Sequence, residues 1–138
     1  MRHHSDRGSV ATETALLAPL LIALALLMIL AYRVSGTQSD VHTIAHTAAR
    51  AASLERTDQQ AHAAAEQATE EAVREHELRC EHRELELTTS GMQPGATVTA
   101  EVTCQAPVSD LSSLDLLPGT YTAHGQASAV VDLYRGQP

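Results

Sequence analysis

The apolar positions divide the chain into regions of different character. Residues 14–32 read TALLAPLLIALALLMILAY and carry no charge. Nineteen helical residues rise about 28 Å, close to the roughly 30 Å hydrocarbon thickness of a bilayer, so this run predicts a transmembrane helix. Pro19 falls in its first turns, where a lost hydrogen bond costs least. Beyond the run, apolar residues become sparse and periodic. Val41, Ile44, Ala45, Ala48, Ala49 and Ala52 share one helical face, so the helix is expected to continue past the membrane. That face is narrow and alanine-rich, which suits close packing against another helix or a sheet. Thr57 and Gln60 fit a capping box and predict a fresh helix start. Ala61, Ala64, Ala65, Ala68, Ala72 and His76 carry the helical stripe to about residue 77.

The period then changes from helical to alternating. Val98, Ala100, Val102 and Cys104 alternate with Thr97, Thr99, Glu101 and Thr103, which predicts a half-buried strand. Residues 79–88 read as its partner across the turn Ser90-Gly91-Met92-Gln93-Pro94-Gly95. Tyr121, Ala123, Gly125, Ala127, Ala129, Val131 and Leu133 predict a third strand. Leu111, Leu114, Leu116 and Leu117 sit in a proline-bounded connection, residues 107–120. The expected class is α+β, a long helix followed by a small three-stranded antiparallel sheet. Pairing Cys80 opposite Cys104 centres the hairpin near Met92. It also puts His82, Glu84 and Glu86 on the face of Val98 and Val102 and turns Leu85 and Leu87 away. A bulge between residues 80 and 85 would reconcile the two.

Composition sharpens this division. Mean hydropathy over the 138 residues is −0.13, an unremarkable average that conceals two halves. Of 60 apolar residues, 23 are alanine, and 11 of the 32 Leu, Ile, Val and Met side chains lie within residues 14–32. The remainder has no Phe or Trp, so its core is thin. It needs a staple, a membrane anchor or another subunit to stay folded. Cys80 and Cys104 are the candidate disulfide if this region lies outside the cell.

The net charge is −8, with nine Arg, no Lys and no basic cluster, which argues against nucleic acid as a partner. His42 and His46 have a chelating spacing but lack a third ligand on their face. His76, Cys80 and His82 form only a loose cluster, so no metal and no cofactor is expected. The eight Glu of residues 66–86, interleaved with Arg74, Arg79 and Arg83, read as a solvated, salt-bridged face. Glu70–Arg74 and Glu75–Arg79 have the spacing for such pairs. The chain contains no GxSxG, P-loop, GxGxxG or HExxH pattern, so an enzyme is not expected.

The stretch Arg7-Gly8-Ser9-Val10-Ala11-Thr12-Glu13 runs straight into the apolar segment, and Glu13 is the only charge between Gly8 and Arg33. A carboxylate at the head of a membrane helix is normally paired or neutralised. These residues resemble the type IV pilin and pseudopilin pattern: a short basic leader ending in Gly, then an apolar helix with Glu as its fifth residue. Within that group, RGSVATETALLAPLL resembles the TadE family of the Flp/Tad tight-adherence pilus. So do Pro19, the His46–Ser53 stretch, the Gly95-Ala96-Thr97-Val98-Thr99 strand and the small-residue last strand. The likeness is sharp over residues 7–53 and loose over 91–134. Ser9 and Thr14 stand where many pilins carry aromatic residues.

The resemblance implies a pilin-like fold and a non-catalytic, minor pseudopilin-like role in pilus assembly. It implies cleavage after Gly8 by a membrane prepilin peptidase, which leaves Ser9 as the new N-terminus. The Ser9 amine would then pair with Glu13, in the same or a neighbouring subunit. Implied partners are the membrane, that peptidase, other pilin or pseudopilin subunits and Tad assembly proteins. The expected organisation is a leader over 1–8, a transmembrane helix over 9–33, an extracytoplasmic alanine-rich helical region over 34–77 and a β-rich domain over 78–138. Arg2 and Arg7 favour a cytoplasmic N-terminus at the cell membrane. Three alternatives stay open. Glu13 is simply an acid favoured by the helix dipole; the chain is an unprocessed single-pass envelope protein; or it is a secreted binding domain cut from a signal peptide at Val34-Ser35-Gly36.

Overall fold

The computed structural model describes residues 7–111 and 118–134. Helix α1 runs unbroken from Arg7 to Ser53, passing through Pro19 and across the end of the apolar run. Helix α2 spans Asp58–Glu75, strand β1 His82–Thr89, strand β2 Thr97–Pro107, the short helix α3 Val108–Leu111, and strand β3 Thr120–Val130. The three strands form one antiparallel sheet in the order β1-β2-β3. The α+β class, with a long apolar helix followed by a small three-stranded sheet, is the one the sequence predicts.

Helix α1 has two halves with opposite surroundings. Leu17 to Ile29 project their large side chains into open space, as do Tyr32 and its neighbours; Leu20 is 65% and Met28 66% exposed. From residue 37 onward the same helix lies on the sheet. Val41, Ile44, Ala45, Ala48, Ala49 and Ala52 are fully buried, matching the predicted face. Alanines allow the backbones to approach closely, and Ile44 and Val41 supply the volume. Helix α2 packs beside α1 through Ala61, Ala65, Thr69 and Ala72. Thr69 takes a position where the alanine stripe had a gap. Its hydroxyl donates to the Ala65 carbonyl at 2.7 Å, which removes the cost of burying it.

Thr57 caps α2 as its spacing predicts. Its Oγ1 accepts from the Gln60 N–H at 3.3 Å, and its hydroxyl donates to the Gln60 side-chain oxygen at 3.1 Å. At the other end, α2 stops with Glu77 in the left-handed region, φ 52°, and the Leu78 N–H donating to the Val73 carbonyl. This is a Schellman-type stop without the usual glycine. His76, expected on the packed stripe, is instead the exposed C-cap.

The β1–β2 register corrects the sequence reading. Arg83, not Cys80, stands opposite Cys104, and Leu85 faces Val102 while Leu87 faces Ala100. The strand begins at His82, so Cys80 precedes it and no bulge is needed. Register differs from the expected one by three residues. An odd shift exchanges the two faces of a strand, and it returns Leu85 and Leu87 to the core side. Two leucines outweigh a cysteine's choice of partner, because a disulfide can be made from a flanking residue and a leucine cannot be buried from the wrong face.

Strand β2 buries Val98, Ala100, Val102, Cys104 and Ala106, and β3 buries Ala123, Gly125 and Ala127. Val131 closes the end of the sheet: its N–H donates to Ala96 and its carbonyl accepts from Gly95. Leu111 is buried at the end of α3. Leu114, Leu116 and Leu117, which the sequence places in the same connection, lie outside the described residues.

Candidate functional site

The candidate site is α1 itself, so its positioning begins with what holds it to the sheet. Gly125 lies directly under the helix. A Cβ at that position would meet the Val41 carbonyl oxygen, the Val41 carbonyl carbon at 2.6 Å and the His42 Cα at 2.8 Å. Only glycine lets the helix backbone sit that low on the strand. Beside this contact, the Gln38 side-chain amide donates to the His124 carbonyl. The Tyr121 hydroxyl donates to the other end of the same amide at 3.3 Å. Gln38 thus ties one turn of α1 to two positions of β3. A third link joins α1 to the end of α2: His76 Nδ1 lies 3.3 Å from Asp40 Oδ1.

Cys80 and Cys104 are joined by a disulfide with a Cα–Cα distance of 5.3 Å. The bond fixes the segment leaving α2 to the central strand of the sheet. Arg79, next to it, reaches Asp110 of α3 at 3.9 Å, a different partner from the helical Glu75 that spacing nominated. These links lock α1, α2 and the sheet into one unit from which the apolar half of α1 projects.

The N-terminal residues of interest lie in that projecting half. Gly8, Ser9 and Glu13 all lie within α1. The Glu13 side chain lies outside the described residues. His42 and His46 are exposed on α1. Among the described residues no group of three or more His, Cys, Asp or Glu side chains is arranged around a common metal position.

Sequence reasoning found the packed face of α1 but missed the tether. A lone glycine inside a strand pattern is a sign of close backbone approach, and Gly125 carried that sign. Gln38, Tyr121, Asp40 and His76 gave none, because the contacts join residues 36 to 86 positions apart.

Together these features define an α+β protein in which one long apolar N-terminal helix, of the kind that suits a single-pass membrane anchor, continues into its own globular domain. Among the described residues, α1 is the helix long and apolar enough to cross a membrane, and none of its apolar window is buried. Residues 8–50 match the family model described as TadE-like protein, so the chain carries a TadE-like N-terminal segment. The match begins at Gly8 and ends at Arg50 near the end of α1, leaving α2 and the sheet outside it. This family belongs to the setting of the Tad pilus and is in general non-catalytic. No curated protein and no solved structure matches the chain.

Proposed function

We propose that the chain is a non-catalytic, minor pseudopilin-like subunit acting in assembly of a Tad-type pilus or a related secretion apparatus. It is cut after Gly8 by a prepilin peptidase and anchored by residues 9–33, with the N-terminus cytoplasmic and the sheet domain outside. The observation that carries this reading is the unbroken α1. A helix that leaves a membrane and is bolted directly to its own sheet transmits position from bilayer to outer domain without a hinge. The TadE-like match over residues 8–50 adds the pilus setting.

In this reading the Ser9 amine created by cleavage pairs with Glu13, in the same or a neighbouring subunit. The pair offsets the cost of holding a carboxylate at the edge of hydrocarbon and sets the register of adjacent helices. The helical course of Val34-Ser35-Gly36 favours an anchor over release at that point.

Intact-mass spectrometry of the protein extracted from membranes tests the proposal. A chain beginning at Ser9 supports it. An intact Met1 would leave an unprocessed anchor, and a start at Thr37 would mean a secreted domain. Glu13→Ala is expected to be cleaved normally yet fail to co-purify with pilus components. Normal co-purification of that variant would remove the pairing role.

A further inference from the structure

One cleft stands outside the assembly reading. It measures about 390 Å³ and opens between α1, the turn leaving α2, and α3. Arg33, Asp40, His76, Arg79 and Asp110 line it, and at Gly36 an added Cβ would meet nothing within 4 Å. Four of these groups are engaged in two pairs at its walls, His76 with Asp40 at 3.3 Å and Arg79 with Asp110 at 3.9 Å. Among the described residues no carboxylate lies within ion-pair reach of the Arg33 guanidinium.

The location of Arg33 matters as much as its freedom. It is the first charge after the uncharged residues 14–32. With that run in hydrocarbon, Arg33 stands at the level of the lipid phosphates. Gly36 to Asp40 follow about 5–10 Å further out at 1.5 Å per residue, and the headgroup layer is roughly 5–7 Å thick on each side. The cleft therefore faces the headgroups of the outer leaflet. Its charge is mixed rather than basic: Arg33 and Arg79 stand against Asp40, Asp110 and Glu77, which also lines the cleft. Such a site offers an anion and a cation separate partners and gives a purely anionic lipid no net attraction.

We propose that this cleft seats the headgroup of a zwitterionic phospholipid bearing a primary ammonium, phosphatidylethanolamine. The Arg33 guanidinium takes the phosphate, as arginine's fork of donors suits it to do. The carboxylates of Asp40 and Glu77 accept from the ammonium, a contact that the methylated headgroup of phosphatidylcholine cannot donate. The lipid would then steady the outer domain against the membrane surface. The inference rests on the membrane-spanning reading of α1.

The test reconstitutes the full chain in nanodiscs of equal parts phosphatidylethanolamine, phosphatidylcholine and phosphatidylglycerol. Lipids retained after detergent release are counted by native mass spectrometry. Phosphatidylethanolamine should be retained at least threefold over either competitor. Arg33→Gln should abolish the enrichment, and Glu77→Gln should narrow the margin over phosphatidylcholine. Arg50→Gln, on the same helix but away from the cleft, should behave as the parent chain. Circular dichroism of each variant confirms that its fold is kept.

Equal retention of the three lipids by an inserted protein overturns the lipid assignment and leaves the anchor reading intact. Unchanged retention in Arg33→Gln also overturns it. Displacement of lipid by millimolar inorganic phosphate, with no headgroup preference, would mark a simple phosphate site and overturn it as well. Failure of the chain to insert, seen by carbonate extraction, overturns both readings.

Discussion

At Gly125 a single methyl group decides whether α1 can lie on the sheet. Replacing glycine by alanine ordinarily stabilises a compatible site by about 0.4–1 kcal/mol through the unfolded chain. Here the new Cβ would stand 2.6 Å from the Val41 carbonyl carbon and 2.8 Å from the His42 Cα, and neither backbone atom can swing aside. Overpacking of this kind costs about 1–3 kcal/mol, so the clash outweighs the entropy gain. Gly125→Ala is expected to lower the thermal midpoint of the detergent-solubilised protein, and an unchanged or raised midpoint would contradict the packing described. Gln38 is a different kind of residue contact. It is exposed and hydrogen-bonded to a strand carbonyl, so it adds direction to the docking more than stability.

At the scale of elements, the face of β1 is the decision that matters. Leu85 and Leu87 point toward the helices, while Glu84 and Glu86 point to the open side of the sheet, opposite Thr103 and Glu101. Leu85→Ser should therefore destabilise by about 1–3 kcal/mol, whereas Glu84→Ser should change stability by less than about 0.5 kcal/mol. Chemical denaturation of the two variants separates this register from the one that sets Cys80 opposite Cys104, which predicts the reverse order. Helix α1 shows the same principle in another form. One continuous element carries two kinds of surface, because its first half is apolar on all sides and its second half is apolar on one face only.

For the whole molecule, a thin core is compensated by connections. Alanine dominates the buried set, and no aromatic side chain is among the fully buried residues. The Cys80–Cys104 bond closes a 24-residue separation and spans the junction between the helical layer and the sheet. Chain-entropy estimates give a loop of this length about 3.5 kcal/mol. That is a large share of the stability of so small a domain. A Cys80→Ser, Cys104→Ser double variant is expected to lose about that amount, read from urea denaturation of the oxidised parent and the variant. Equal midpoints would show that the bond adds nothing to the helix–sheet junction. The open surface of residues 17–32 is the other consequence at this scale. Apolar side chains at 39–81% exposure over several turns are tolerable only in lipid or against neighbouring helices.

The sequence by itself determined every element whose signal is local. The uncharged run, the buried face of α1, the Thr57 cap and the alternation of β2 and β3 each depend on residues within a few turns or pleats of one another. The N-terminal pattern around Gly8, Ser9 and Glu13 is local too, and it carries the TadE-like resemblance. Only the tertiary structure decided the rest. The register of β1, the tether of Gln38 to β3, the seat of α1 on Gly125 and the cleft shared by Arg33, His76 and Arg79 all join residues far apart in the chain. Pattern supplies which face of an element is apolar. Which residues then meet across faces is settled by how closely two backbones can approach, and that depends on both partners at once.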